Sequence, residues 1–199
     1  MTDVFPVLRV LGMLVMLFAL AMGVPLAVSW YAQDGVWQVY PAAMGVALLV
    51  GLGLLVGMRR YKRELQPRHG VMLVSLVWAL LPLFAAVPLM LACAQIGRPM
   101  SFTHAYFEAV SGLTTTGSTV LSNLDTLPVS VNVWRTFLQW IGGMGILILA
   151  VAVLPLLGVG GAQLFKAEAA GPIKDTKLTP RMTETAKGLW GVYALFSIA

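Results

Sequence analysis

The stretch Ser101-Phe-Thr-His-Ala-Tyr-Phe-Glu-Ala-Val-Ser-Gly-Leu-Thr-Thr-Thr-Gly-Ser-Thr-Val120 decides how the chain is read. In residues 102–113, Phe102, Tyr106, Phe107, Val110 and Leu113 recur at the three- and four-residue steps of one helix face. A dozen helical residues reach about 18 Å, roughly half of a bilayer core. This helix is therefore too short to cross a membrane. A polar run, Thr114-Thr115-Thr116-Gly117-Ser118-Thr119, follows it, and the chain returns through Asn123, Asp125 and Pro128. Half-helix, polar turn and return make a re-entrant loop. Such backbone survives at membrane depth only where it is buried in protein or lines water. The other reading of the same residues is an extracellular loop that holds no ion.

The flanking sequence supplies the membrane. Of 199 residues, 59% are apolar and 11% charged, against about a quarter charged in an ordinary soluble domain. The mean hydropathy is +0.86. Soluble globular, disordered and fibrous classes are excluded, and an integral membrane protein remains. Charge-poor runs at 10–30, 41–58, 71–96 and 133–157 are each long enough to approach or span a bilayer. A further run, 188–199, is too short to span and reads as the opening of another helix. The first run exceeds a secretory h-region of about 7–15 residues, so it is read as a retained helix. Trp30, Tyr31, Trp37 and Tyr40 around Gln33 and Asp34 look like an interfacial belt. Gly53 and Gly57 form a GxxxG pair suited to close helix packing. Pro82 and Pro88 put kinks in the third run. A single cysteine, Cys93, excludes an internal disulfide and a multi-cysteine metal site.

Charge sets the expected topology. Ten of the thirteen Lys and Arg lie in two stretches, 59–68 and 166–187. Both belong on the cytoplasmic side by the positive-inside rule. Two crossings then separate them, the 97–134 segment begins and ends outside, and the N-terminus is cytoplasmic. The +5 formal charge is thereby a topological signal. No aromatic–basic interleaving points to nucleic acid.

The polar turn has a physical use. The C-terminal end of a short helix carries partial negative charge that favours a cation. Backbone carbonyls beyond it can replace an ion's water shell, and glycine permits the angles this needs. With no carboxylate required, a monovalent cation suits the site better than a divalent one.

The motifs Glu108-Ala-Val-Ser-Gly-Leu-Thr-Thr-Thr-Gly-Ser-Thr-Val120, Asn123-Leu-Asp-Thr-Leu-Pro128, Trp134-Arg-Thr-Phe-Leu-Gln-Trp-Ile-Gly-Gly-Met-Gly145, Gly158-Val-Gly-Gly161 and Gly171-Pro-Ile-Lys-Asp-Thr-Lys-Leu-Thr-Pro180 resemble those of the bacterial Trk-type potassium-uptake membrane subunits (TrkH/TrkG-like). The resemblance covers most of the chain from Phe102 onward. It implies an all-α integral membrane protein of the inner membrane. A peripheral helix pair would occupy 1–65. One outer helix–pore loop–inner helix repeat, potassium-channel-like, would occupy 66–165, with a cytoplasmic loop and the start of a second repeat at 166–199. It also implies that Thr115, Thr116, Gly117 and Ser118 line one quarter of a selectivity filter, with potassium, the substrate, at Thr115 and Thr116 and no cofactor. Thr119 stands where a potassium-channel filter would have its second glycine. The family needs four such loops and this sequence offers one, so three further repeats are expected partners and the chain alone should not conduct. A homodimer and a cytoplasmic TrkA-like nucleotide-binding regulatory subunit, contacting 158–187, are further implications.

Other residues have competing readings. Glu108, an acid within the buried half-helix, either braces the neighbouring loop by hydrogen bonds or contacts an ion. Arg135 snorkels to the interface or repels cations near the mouth. His104 sits at the helix entrance as a solvated residue. Gly142, Gly143 and Gly145 serve close packing or bending. A hydrolytic triad of Ser111, His104 and Asp125 can be written on paper, but Ser111 lacks the Gly-x-Ser-x-Gly elbow. A non-conducting membrane scaffold would keep the helices without needing the Thr-Thr-Thr-Gly run.

Overall fold

The computed structural model describes residues 4–59, 67–153 and 178–198. Among them every regular element is helical. The elements are α1 (Phe5–Ala21), α2 (Gly23–Ala32), α3 (Val39–Gly57), α4 (Pro67–Gln95), α5 (Phe102–Leu113), a 3-10 turn (Leu124–Thr126), α6 (Val129–Val153) and α7 (Leu178–Ile198). Three stretches are long and apolar enough to cross a membrane: Phe5–Ala32, Val39–Gly57 and His69–Gln95. The described part of α6 is not among these three, although the helix is 25 residues long. The chain divides into two compact units, Met1–Gln139 and Trp140–Ala199.

In the first unit, α1 and α3 pack through glycine. A Cβ on Gly12 would lie 2.8 Å from the Gly51 carbonyl oxygen, and one on Gly51 would lie 2.9 Å from the Gly12 carbonyl oxygen. The two backbones touch here and nothing larger than hydrogen fits. The GxxxG pair read from the sequence does not do this job. A Cβ on Gly53 or Gly57 would meet no described atom within 4 Å. Around the Gly12–Gly51 contact, Leu11, Val15, Ala19 and Ala47 form a buried cluster against which Leu76, Val77 and Leu80 of α4 pack.

Helix α4 runs through Pro82 and Pro88. Proline removes a backbone donor and crowds the turn before it. Here the carbonyl three residues ahead of each proline receives a side-chain donor from another helix. The Tyr106 hydroxyl of α5 donates to the Ala79 carbonyl at 3.0 Å, and the Trp134 indole of α6 donates to the Ala85 carbonyl at 3.1 Å. Trp134 is fully buried and also meets Phe18 of α1, with ring centroids 5.7 Å apart. Side-chain donors from neighbouring helices to carbonyls in the turn before a proline are one of the ways a membrane helix accommodates it. These two aromatics tie α5 and α6 to α4 at defined heights.

In the second unit, α7 packs against Trp140. The Trp140 indole donates to the Ser197 hydroxyl at 2.8 Å, and the Tyr193 hydroxyl donates to the Trp140 carbonyl at 3.1 Å. Helix α7 starts at Leu178, ahead of the Gly188 at which the apolar run starts, so residues 178–187 of the second basic stretch are helical. Helix α6 runs on through Gly142, Gly143 and Gly145. Most of the first basic loop (60–66), the end of the fourth apolar run (154–157), the 158–161 glycines and the 158–177 part of the expected regulatory contact lie outside the described residues.

Candidate ion-coordinating loop

Helix α5 begins at Ser101, whose hydroxyl accepts the His104 backbone N–H at 3.2 Å, an N-cap. It ends in a Schellman closure. The Thr115 N–H donates to the Gly112 carbonyl at 2.9 Å and the Thr116 N–H to the Ser111 carbonyl at 2.9 Å. Such a closure needs a left-handed residue, usually glycine, yet here it is Thr115 at φ 56°. A β-branched residue in that region is a true outlier, and strain of about 1–3 kcal/mol persists only where surroundings over-determine it. Two residues on, Gly117 is also left-handed, at φ 72°. The chain thus turns sharply off the helix and then straightens.

Hydrogen bonds from behind hold the turn. The Ser111 hydroxyl donates to the Ser118 carbonyl at 2.6 Å, the Thr114 hydroxyl donates to the Val110 carbonyl at 2.8 Å, and the Thr114 and Thr116 hydroxyls lie 2.8 Å apart. Glu108, only 4% exposed, is the clamp. Its Oε1 accepts the Thr119 hydroxyl and the Val120 N–H, both at 2.6 Å, and its Oε2 accepts from Arg135 Nε at 3.0 Å. Gly112 lets α6 come close, since a Cβ there would lie 3.0 Å from Leu138 Cβ.

The loop's front stays open. Residues 115–120 are exposed. Among the described residues no donor bonds to the carbonyl oxygens of Thr115, Thr116 or Gly117, whereas that of Ser118 is turned back to Ser111. Of the four expected filter residues, three keep a free carbonyl, and Ser118 closes the turn.

The other singled-out residues settle as follows. Glu108 is hydrogen-bonded to the loop's far end, which is the bracing geometry. Arg135 is 13% exposed and paired with Glu108. His104 is exposed in the first turn of α5. The Ser111 hydroxyl is committed to Ser118, so the paper triad with His104 and Asp125 is not assembled. Sequence reasoning missed the Glu108–Arg135 pair, although two opposite charges in an apolar setting already signal pairing. It also missed Asp34, whose Oδ2 accepts the Ser130 N–H at 2.9 Å in the first turn of α6. The hydrogen bonds from Ser130, Ser29 and Val36 outweigh burial of the Asp34 carboxyl, which alone would raise its pKa, and hold it below its ordinary value.

Apolar helices of membrane length and a short capped helix ending in bare carbonyls describe a multi-pass membrane transport protein. The sequence model of the TrkH family, described as a cation transport protein, matches residues 38–199, and the chain belongs to that family. The family is one of transporters, not enzymes. The Trk system potassium uptake protein TrkH of Halomonas elongata is 47% identical over 192 residues, 96% of this chain and 39% of that protein. TrkH of Escherichia coli K12 is 44% identical over 191 residues, 96% of this chain and 39% of that protein. TrkG of the same organism is 38% identical over 188 residues, 94% of this chain and 38% of that protein. The crystal structure of the potassium transporter TrkH from Vibrio parahaemolyticus aligns with a TM-score of 0.81 at 38% identity, covering 98% of this chain and 37% of that one. The chain thus spans about 39% of the length of the curated relatives it matches.

Proposed function

We propose that this chain supplies one quarter of the selectivity filter of a Trk-type potassium-uptake pathway in the bacterial inner membrane. Potassium sheds water and is held by the carbonyl oxygens of Thr115 and Thr116, with Gly117 and Ser118 shaping the turn and Glu108 bracing it. No covalent chemistry is involved. The partial negative charge at the end of α5 adds to the attraction, and the fixed carbonyls replace hydration without reorganising. Residues 66–165 form the outer helix–pore loop–inner helix repeat, 1–65 a peripheral pair, and 166–199 a cytoplasmic segment and the start of a second repeat. Three more loops complete the filter, so the isolated chain is non-conducting. The N-terminus is cytoplasmic, the whole subunit pairs as a homodimer, and a cytoplasmic nucleotide-binding subunit regulates it.

One observation carries this reading: past the left-handed Thr115, three successive carbonyls stand unbonded on an exposed stretch while Ser111 and Glu108 hold the loop's far end by hydrogen bonds. The test is Gly117→Ser in the longest native polypeptide containing residues 1–199, in a bacterium lacking its own potassium uptake. Altered potassium-over-sodium preference, or loss of uptake at normal membrane amounts, is expected. Unchanged uptake of both ions contradicts the filter assignment.

A further inference from the structure

Asp34 lies in the loop between α2 and α3, 96 positions before the residue it bonds. Gln33 at φ 52° and Gly35 at φ 82° flank it, both left-handed. Those two turns direct its carboxylate inward. Its Oδ1 accepts the Val36 N–H at 3.3 Å and is bonded to the buried Ser29 hydroxyl. Its Oδ2 holds the Ser130 N–H at 2.9 Å. Ser130 is completely buried, and its N–H is one of the first-turn donors that a helix cannot satisfy itself. A carboxylate at this position also complements the positive end of the α6 dipole.

What hangs from that end of α6 gives the contact its reach. Arg135 lies five residues further along the helix, about 7.5 Å at 1.5 Å per residue. It binds Glu108, and Glu108 binds Thr119 and Val120 at the end of the polar loop. Trp134, beside Arg135, is fixed to the Ala85 carbonyl of α4, so α6 is pinned sideways. Its N-terminal end is held by Asp34.

Resting on the filter reading above, we infer that Asp34 is a positioning residue for the ion-coordinating loop. It sets the height of α6, hence of Arg135 and Glu108, and so the spacing of the carbonyls beyond Thr114. The first two apolar spans, Phe5–Ala32 and Val39–Gly57, then have a transport role that bulk packing does not supply: the loop between α2 and α3 carries the first link of a chain of contacts ending at the ion.

The test measures potassium uptake and its competition by sodium in the same native polypeptide, for Asp34→Ala, Asp34→Asn, Glu108→Gln and the double variant Asp34→Ala/Glu108→Gln, with Gly117→Ser alongside. Asp34→Ala should raise the KM for potassium and lower the potassium-over-sodium ratio by about tenfold at comparable membrane amounts. Asp34→Asn, which keeps one accepting oxygen, should fall between it and wild type. In the Glu108→Gln background, Asp34→Ala should add less than about twofold, because both act through one chain of contacts. The inference is overturned if Asp34→Ala changes only the amount of protein with KM and ion ratio intact. It is equally overturned if its effect adds in full to that of Glu108→Gln, or if neither Asp34 variant reaches the membrane, which would make Asp34 a folding residue only. A Gly117→Ser variant with normal selectivity would instead remove the filter reading itself.

Discussion

Glu108 and Arg135 form an ion pair at 3.0 Å with their side chains 2% and 13% exposed, respectively. One carboxylate oxygen faces the guanidinium and the other takes two donors from the polar loop. Two charges taken out of water stabilise little in net terms, because desolvation offsets their attraction. What the pair provides is position: α5, α6 and residues 119–120 are locked by one side chain.

Removing half of a buried pair strands the other charge, at about 3–5 kcal/mol. Glu108→Gln keeps an oxygen for Val120 but sets an amide against Arg135. Thermal unfolding of the purified native polypeptide in detergent should show a destabilisation of that order, partly recovered by adding Arg135→Met. A Glu108→Gln midpoint indistinguishable from wild type would mean that the pair does not hold the loop.

The α1–α3 contact predicts an ordering of glycine substitutions. Gly12→Ala puts a methyl group against the Gly51 carbonyl at 2.8 Å, so backbones must separate. Overpacking of this kind costs about 1–3 kcal/mol. Gly53→Ala and Gly57→Ala meet open space, and alanine's helix propensity favours them by up to about 1 kcal/mol. Detergent stability of the four variants, including Gly51→Ala with the damaging pair, should separate into these two groups. Equal effects at all four positions would contradict the packing.

Asp34 predicts an acid sensitivity. Its folded carboxyl binds a proton less readily than the ordinary carboxyl at 3.8, so the unfolded chain takes up the proton first. Its contribution to stability is therefore complete above that value and is lost as pH falls through the lower folded value. The thermal midpoint of wild type should drop more between about pH 5 and about pH 3 than that of Asp34→Asn. Parallel pH profiles would exclude the carboxylate as the source.

Topology gives another check. Cys93 is buried. A cysteine introduced at Lys62 should react with a membrane-impermeant thiol reagent only from the cytoplasmic face, and one at Gln33 only from outside. Labelling of position 62 from outside would reverse the proposed orientation.

Much of the framework is legible in residue patterns. The three- and four-residue spacing of Phe102, Tyr106, Val110 and Leu113 has the bounds of α5, but the face that α5 buries is made of Ala105, Glu108, Ala109, Ser111, Gly112 and Leu113, while Phe102 is exposed. Charge-poor runs mark α1 through α4 because a span that crosses lipid admits few charges. Contacts between distant residues are not legible this way. Asp34 and Ser130 meet across 96 positions, and no local pattern foretells it. Gly53 and Gly57 carry the familiar spacing, while the contact belongs to Gly12 and Gly51, whose partners lie on another helix. The left-handed Thr115 runs against its own propensity, and only the surrounding hydrogen bonds impose it. Helix α7 begins among polar residues that read as loop.

The most direct measurement is crystallographic: anomalous scattering from thallium or rubidium soaked into crystals of the longest native polypeptide containing residues 1–199. A peak in contact with the carbonyl oxygens of Thr115 and Thr116, weakened by excess potassium and absent in Gly117→Ser, is the predicted result. A peak elsewhere along the protein, with none at these oxygens, would contradict the assignment of this loop as part of the ion path.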